Sequence, residues 1–237
     1  MRPLAEVNSD IYLPQHDSWL LAEAVRASGL AGGARVADLC TGTGVIARRC
    51  ADLGAHSVVA IDASPASIAF ARIACHDARC PVRVEHGDIG DLVVDHGGLG
   101  FDLITCNPPY VPTPGCAIGG ADLGPVRAWS AGIDGRGVLD PLCAIVYRLL
   151  APGGTLLLVQ SEFAGVPSTM SALTATGLSA TVVAQQTIPF GPVLDAHSAW
   201  YEQQGLLEPG RRTEELFAIR ADKPLRPGTD GGMEVPS

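Results

Sequence analysis

The sequence has few positive charges, no closely spaced cysteine pair and no long apolar run. Lysine and arginine total 16 against 25 acidic residues, and a net charge of -9 argues against a protein that grips duplex DNA through its phosphates. None of the seven cysteines forms a Cys-x-x-Cys pair, and the six histidines do not cluster with them at metal-ligand spacing. We therefore expect no metal site, and free thiols in a reducing cytoplasm. The sequence shows no run of about 18 apolar residues and no signal-peptide pattern in residues 1–20, so no membrane segment is expected.

What the sequence does contain is a regular alternation of apolar strand patterns and amphipathic helix patterns. With 237 residues, 47% of them hydrophobic, the chain can bury a sizeable core without a disulfide or metal. Such alternation predicts a doubly wound, Rossmann-like α/β fold, with a seven-stranded, mostly parallel sheet and helices on both faces. We expect one domain over residues 1–221 and a loose Pro/Gly-rich tail over residues 222–237. Within it we expect a helix over residues 18–28 capped by Asp17, and a fifth strand over residues 155–160.

One connection is unusually long. Residues 190–212 join the last two predicted strands, with a possible helix over residues 194–204. Loops of this length inside a compact domain tend to be functional, for example as lids. A surface decoration or a dimer contact explains the segment equally well.

The sequence Asn107-Pro108-Pro109-Tyr110 directly follows the predicted fourth strand. Each proline fixes φ and removes an N–H, and the residue before each proline is held extended. Backbone carbonyls at such a turn are left to accept hydrogen bonds from a ligand, and the Asn107 side chain adds another acceptor. The motif therefore predicts a clamp for a planar NH2 group, with the ring of Tyr110 beside it.

A glycine-containing turn, Gly42-x-Gly44, links the first strand to a helix. Glycine permits close approach to a ligand, and a helix N-terminus favours polar or anionic groups. Asp62, at the end of the second strand, fits a ribose-binding carboxylate in either a dinucleotide site or an S-adenosylmethionine site. Asp38 before the turn and Asp88 after the third strand favour S-adenosylmethionine, with the carboxylates binding its methionine amino group and its adenine amino group.

These polar residues occupy four successive strand ends. Ligands of doubly wound sheets bind outside the carboxyl ends of the strands, so we expect Asp38, Asp62, Asp88 and Asn107 to meet at one edge.

Taken together, these motifs resemble class I S-adenosylmethionine-dependent methyltransferases. More narrowly, they resemble the single-domain branch of the HemK family of protein glutamine N5-methyltransferases, which modify the Gly-Gly-Gln motif of release factors. Two further stretches support the resemblance, residues 11–21 and residues 128–136. It implies a site in which Asn107 and Pro108 hold the substrate amide and Tyr110 lines the pocket. It also implies a cofactor site comprising Tyr12, Asp17, Ser18, Asp38, Cys40, Gly42, Gly44, Asp62, Ala63, Asp88, Ile89 and Asn107.

Three features depart from the family pattern. Cys40 stands where the family often has its first glycine, and residues 190–212 have no recognised counterpart. Because the first predicted strand begins near Arg35, we expect the helical substrate-binding domain of bacterial members to be missing. The resemblance leaves open a small activator partner or a homodimer. Other acceptors also stay open: a small amine, or less readily the adenine of DNA, since nucleic acid binding is not expected. A dehydrogenase or a non-enzymatic interaction protein would be separated from these by cofactor-binding tests.

Overall fold

The computed structural model describes residues 12–89, 100–114 and 131–225, and these form one seven-stranded sheet with helices packed on it. The strands are β1 Arg35–Leu39, β2 Ser57–Asp62, β3 Val82–His86, β4 Phe101–Cys106, β5 Leu150–Ser161, β6 Ser179–Pro189 and β7 Thr213–Asp222. The helices are α1 His16–Ser28, α2 Val45–Asp52, α3 Pro65–Ala74, α4 Leu139–Leu149, α5 Val166–Ala175 and α6 Pro192–Gln203, with a 3-10 turn at Glu162–Ala164.

The sheet has the strand order β3-β2-β1-β4-β5-β7-β6. Strands β1 to β5 are parallel, whereas β7 runs antiparallel to both of its neighbours. The prediction of a doubly wound, mostly parallel seven-stranded sheet is therefore confirmed. The chain reverses its winding direction between β1 and β4, and this switch point is where such sheets leave a crevice for a ligand.

The buried strands carry the core. Val36, Ala37 and Leu39 of β1, and the Leu156–Val159 run of β5, are at most 1% exposed. Parallel strands covered on both faces need such continuous apolar sequences. Packing in the core thus fixes the positions of β1, β4 and β5, and with them the positions of the polar residues that follow these strands.

The structure corrects three boundaries. Helix α1 begins at His16 after Gln15, so Asp17 lies inside its first turn and does not cap it. Strand β5 runs over twelve residues because it begins directly at the end of α4. The tail begins later than Asp222, since Asp222 ends β7 and the backbone of Lys223 hydrogen-bonds to Gly153 and Gly154. Residues 226–237 lie outside the described part of the chain, as do residues 128–130 of the resembling stretch.

None of the described helices is long and apolar enough to cross a membrane.

Candidate active site

Three residues in the turn after β1 have a left-handed backbone conformation, and one residue separates each of them from the next. Cys40 and Gly42 both have φ of 54°, and Gly44 has φ of 81°. Gly44 also packs tightly, because a Cβ added there would lie 3.1–3.2 Å from Cys75 and Ala71 of the neighbouring helix region. Glycine accommodates the left-handed backbone at residues 42 and 44 and the tight packing at residue 44, whereas Cys40 adopts a conformation that costs an L-residue about 1–2 kcal/mol.

Asp38 fixes this turn from within. Its carboxylate accepts hydrogen bonds from the Thr41 hydroxyl at 2.5 Å, the Thr105 hydroxyl at 2.6 Å and the backbone N–H of Ala47 at 3.0 Å. Burial raises the pKa of Asp38 to about 6, against the lowering effect of these hydrogen bonds. Asp38 therefore ties β1, β4 and the start of α2 together at the switch point.

Asp62 holds the other side of the turn. One of its oxygens accepts the N–H of Gly42 and the other accepts the N–H of Ser64, both at 2.8 Å. The Ser64 side chain in turn accepts the N–H of Ser67 and caps α3. Because a carboxylate has about four acceptor positions, Asp62 retains capacity for a ligand hydroxyl.

The segment that leads into α1 lies across this edge of the sheet. The hydroxyls of Tyr12 and Tyr110 both donate to one oxygen of Asp17 at 3.1 Å. The Ser18 hydroxyl donates to the other Asp17 oxygen, and the Asn107 side-chain NH2 donates to the Ser18 oxygen at 3.3 Å. Burial, with the nearby charge of Asp17, raises the pKa of both tyrosines. Asp17 therefore joins the helix start to the Asn-Pro-Pro-Tyr turn.

Asn107 presents a side-chain carbonyl oxygen at the end of β4. Within the described part of the chain, its Oδ1 and the carbonyl oxygen of Pro108 accept no hydrogen bond. An amide NH2 has two donors, so two such acceptors at one turn can hold it.

A cavity of about 500 Å³ opens over these strand ends. Its walls include residues 38–43, 61–64 and 87–89, Asn107 with Pro109, and Tyr12 with Ser18. The structure thus brings ten of the twelve predicted cofactor residues to one cavity: Tyr12, Ser18, Asp38, Cys40, Gly42, Asp62, Ala63, Asp88, Ile89 and Asn107.

Four predicted site residues are not among those that line this cavity. Asp17 and Tyr110 are 4% and 7% exposed and bond each other, and Pro108 is buried. Gly44 packs against the helix that follows β2. These residues shape the walls, and a direct contact of Asp38, which is itself 1% exposed, with a ligand stays a prediction.

Sequence reasoning missed three residues of this region. Thr105 interrupts an apolar strand, and that polar position was the signal for its bond to Asp38. Tyr201 and Glu214 carry no such signal in the sequence. Packing alone explains an aromatic residue on a helix, and solvent exposure explains an acidic residue at the start of a strand.

The segment of residues 190–212 is folded against the site. Its helix α6 carries Tyr201, whose hydroxyl donates to the Pro112 carbonyl at 2.5 Å, just beyond the Asn-Pro-Pro-Tyr turn. Tyr201 is fully buried in a small apolar cluster with Phe163, Phe190, Leu194 and Leu207. An ion pair between Arg211 and Glu162 joins the C-terminal part of this segment to the 3-10 turn that follows β5. The predicted helix is present and starts two residues earlier than expected. Through Tyr201 it is hydrogen-bonded to Pro112, two residues beyond the Asn-Pro-Pro-Tyr turn.

Comparison with known proteins agrees with this geometry. A methyltransferase-domain family model matches residues 36–116, which contain the turn after β1 and the Asn-Pro-Pro-Tyr turn. Methyltransferase HEMK2 of Mus musculus is 33% identical over 159 residues, covering 63% of this chain and 71% of that protein.

The chain belongs to the HemK-like family of methyltransferases.

Two further relatives are similar over a smaller share of their length. The release factor glutamine methyltransferase of Mycolicibacterium smegmatis is 35% identical over 154 residues, which are 63% of this chain and 53% of that protein. A 4-amino-L-phenylalanine/4-methylamino-L-phenylalanine methyltransferase of Streptomyces pristinaespiralis is 36% identical over 141 residues, covering 56% of this chain and 46% of that protein. The chain thus spans about half the length of these two relatives.

Among solved structures, the E. cuniculi Mtq2-Trm112 complex has the same fold. It is described as responsible for methylation of the eRF1 translation termination factor. It matches with a TM-score of 0.61 at 22% identity, over 90% of this chain and 99% of that chain.

Proposed function

We propose that this HemK-like methyltransferase transfers a methyl group from S-adenosylmethionine to a planar NH2 group, and that this group is the side-chain amide of a protein glutamine. The observation that carries the proposal is the hydrogen bonding of Asn107. Its NH2 is engaged by Ser18, while its Oδ1 and the Pro108 carbonyl accept no hydrogen bond in the described part of the chain.

The cavity suits the cofactor by the chemistry of its walls. Asp62 and Asp88 present carboxylates to sugar and base donors, and the left-handed Gly42 lets the backbone approach them. Bound there, S-adenosylmethionine supplies an electrophilic methyl group. Tyr12 and Ser18 line the same cavity from the α1 side, so the helix start covers the cofactor.

The protein's own contribution is orientation. Asn107 Oδ1 and the Pro108 carbonyl each accept one N–H of the substrate amide, which fixes its nitrogen and turns its face toward the methyl group. Holding two reactants in this way can lower a barrier by roughly 7–11 kcal/mol in favourable cases. The buried pair of Asp17 and Tyr110 keeps the turn in place.

The glutamine acceptor is supported by the names of relatives, one of which is a release factor glutamine methyltransferase. The similar solved structure contains a second protein, Trm112, and on this ground we propose a small activating partner for this chain, with a homodimer as the alternative arrangement. A cytoplasmic location remains a prediction.

A small-molecule amine is the second candidate acceptor. It is favoured by the Streptomyces pristinaespiralis relative, whose name gives an aromatic amino acid amine as its substrate. The folded segment of residues 190–212 would then act as a wall beside a small acceptor.

The deciding experiment measures calorimetric binding of S-adenosylhomocysteine and then methyl transfer by mass spectrometry. Acceptors are a release factor with an intact Gly-Gly-Gln loop, the same factor with the glutamine changed to alanine, and 4-amino-L-phenylalanine. A gain of one methyl that requires the glutamine supports the first candidate, and methylation of the amine supports the second. Failure to bind the cofactor would refute both.

A further inference from the structure

The two edges of the sheet differ in length and in charge. Strand β3 forms one edge and β6 forms the other. Strand β3 has five residues, and Arg83, Glu85 and His86 among them are charged or titratable, with an ion pair between Arg83 and Glu85. Strand β6 has eleven residues, and none of them is Asp, Glu, Lys, Arg or His. Proteins protect exposed sheet edges by keeping them short or charged, so β3 is protected in this way and β6 is not.

The outer edge of β6 is open to a further strand. Strand β6 pairs antiparallel with β7, and no strand pairs with its other side within the described part of the chain. Eight of its eleven side chains are exposed, and the strand is about 36 Å long. The register with β7 shifts between Val182 and Ala184, and residues 184–189 continue beyond this irregularity as a regular stretch. Alternate residues there point their N–H and C=O groups away from β7, as in any edge strand.

The uncharged surface extends from β6 to a neighbouring helix. Residues 163–194 contain no Asp, Glu, Lys, Arg or His, in a chain that is 17% charged and has a net charge of -9. This run includes α5, which packs against β6 and exposes Pro167, Ser171 and Thr174. Depletion of charged residues is the compositional feature that distinguishes the core of a protein interface from the remaining surface. Strand β6 and α5 together therefore have the composition of an interface.

The partner that fits this surface is a second copy of the chain. When a strand pairs antiparallel with its own copy about a two-fold axis, residues of the same strand face each other, so an uncharged edge meets an uncharged edge. Over the rest of their surfaces two molecules that each carry a net charge of -9 repel each other. A partner selected by opposite charge would find no charged side chain on β6 to bind.

We infer that β6 is a dimer interface, in which the β6 strands of two copies pair antiparallel about a two-fold axis near Gln186 and join two seven-stranded sheets into one. The assembly closes at two copies, because the pairing occupies both β6 edges and the remaining edges are the short, charged β3 strands. None of residues 163–194 lines the cavity over the strand ends, so the interface is separate from the proposed cofactor site.

Sedimentation equilibrium over a range of concentrations tests the interface. The wild-type protein should reach twice the chain mass of 24.5 kDa. Gln186→Lys should raise the dissociation constant of the dimer at least about tenfold, because the two-fold axis brings two like charges opposite each other. Gln203→Lys, which adds the same charge at an exposed position of α6, is the matched control and should dimerise like the wild-type protein.

Hydrogen exchange of the wild-type protein gives a second measurement that needs no variant. The outward-facing amides of β6 should exchange more slowly as the protein concentration rises, whereas those of β3 should not change. A wild-type protein that stays monomeric would overturn the inference, whether β6 is then left bare or is taken by another protein. So would a dimer that Gln186→Lys leaves intact, or a dimer whose β6 amides exchange as fast as those of the monomer.

The dimer and the proposed function can fail separately. Calorimetric titration of S-adenosylhomocysteine into the same samples should give the same affinity for the wild-type protein and Gln186→Lys, because Gln186 does not line the cavity. Dimerisation without ligand binding would count against the proposed function and leave the dimer standing. Ligand binding by a protein that is monomeric throughout would do the reverse.

Discussion

The Asn107 side chain donates its NH2 to the hydroxyl of Ser18, which lies 89 residues earlier in the chain, at 3.3 Å. Ser18 in turn donates to Asp17, which also accepts from Tyr110, so the bond belongs to a closed network around the turn. The consequence is that one orientation of the Asn107 amide is favoured, in which Oδ1 accepts no hydrogen bond from the residues that the structure describes. The helix start thus orients the group proposed to hold the substrate.

Replacing Ser18 by alanine should weaken this orientation. The lost hydrogen bond is worth about 1 kcal/mol, so we expect kcat/KM to fall about fivefold to tenfold. The measurement is steady-state methyl transfer. Ser28→Ala at the other end of α1, whose hydroxyl donates to the Val25 carbonyl and accepts the N–H of Leu30, is the matched control and should leave kcat/KM unchanged. Equal losses in both variants would point to a general effect on α1.

Replacing Asn107 by alanine removes the side-chain acceptor itself. We expect turnover to fall by roughly 100-fold or more, as for loss of one orienting polar group in other active sites, with S-adenosylhomocysteine affinity nearly unchanged. Calorimetric titration alongside methyl-transfer assays separates the two effects. A large loss of cofactor affinity would contradict the role given to Asn107.

Replacing Gly44 by alanine tests the turn after β1. The new Cβ would lie 3.1–3.2 Å from Cys75 and Ala71 at a φ of 81°, so both crowding and strain apply. Gly33→Ala is a matched control, with φ of 72° and no atom within 4 Å of the new Cβ. We expect the left-handed backbone to lower the free energy of unfolding of each variant by about 1–2 kcal/mol. Crowding should lower that of Gly44→Ala by roughly 1–3 kcal/mol more. Denaturant unfolding measures the difference, and similar losses would show that the contact relaxes freely.

Replacing Tyr201 by phenylalanine tests how residues 190–212 act on the site. The ring stays in its apolar cluster, but the Pro112 carbonyl loses its donor. We expect a loss of about 1–3 kcal/mol in the free energy of unfolding. If the segment positions the loop beside the acceptor, KM for the acceptor rises while S-adenosylhomocysteine affinity is unchanged. An unchanged KM with lower stability would assign the segment to packing alone.

Stability should depend on pH through Glu214. Its pKa is raised from 4.5 to about 7 in the folded protein, so between these values the folded state binds more protons than the unfolded state. Its contribution to stability is present below pH 4.5 and is lost as pH rises toward and through 7, by up to roughly 3 kcal/mol. Comparing denaturation of wild-type protein and Glu214→Gln from pH 4.5 to pH 8 isolates this slope. The variant should show a flatter profile, and identical profiles would contradict the raised pKa.

The sequence determined the order of the elements and the edge of the sheet at which the site lies. Apolar strand patterns with helices between them permit few topologies, and polar residues that follow parallel strands must share one edge. Asp38, Asp62, Asp88 and Asn107 were placed correctly at that edge on this ground alone. The tail boundary and the start of α1 were wrong, because Asp222 and Lys223 pair with distant backbone and Asp17 bonds to residues outside its own helix.

Only the tertiary structure decided which of these polar groups face the cavity and which hold its walls. Asp17 and Tyr110 have side chains suited to binding a ligand, yet they are buried because each satisfies the other across 93 residues. Glu214 and Tyr201 reach the site through long-range packing that no local pattern records. Local sequence sets propensity and periodicity, whereas burial and the partner of each polar atom depend on residues far along the chain, and so they emerge only when the sheet and its helices are assembled.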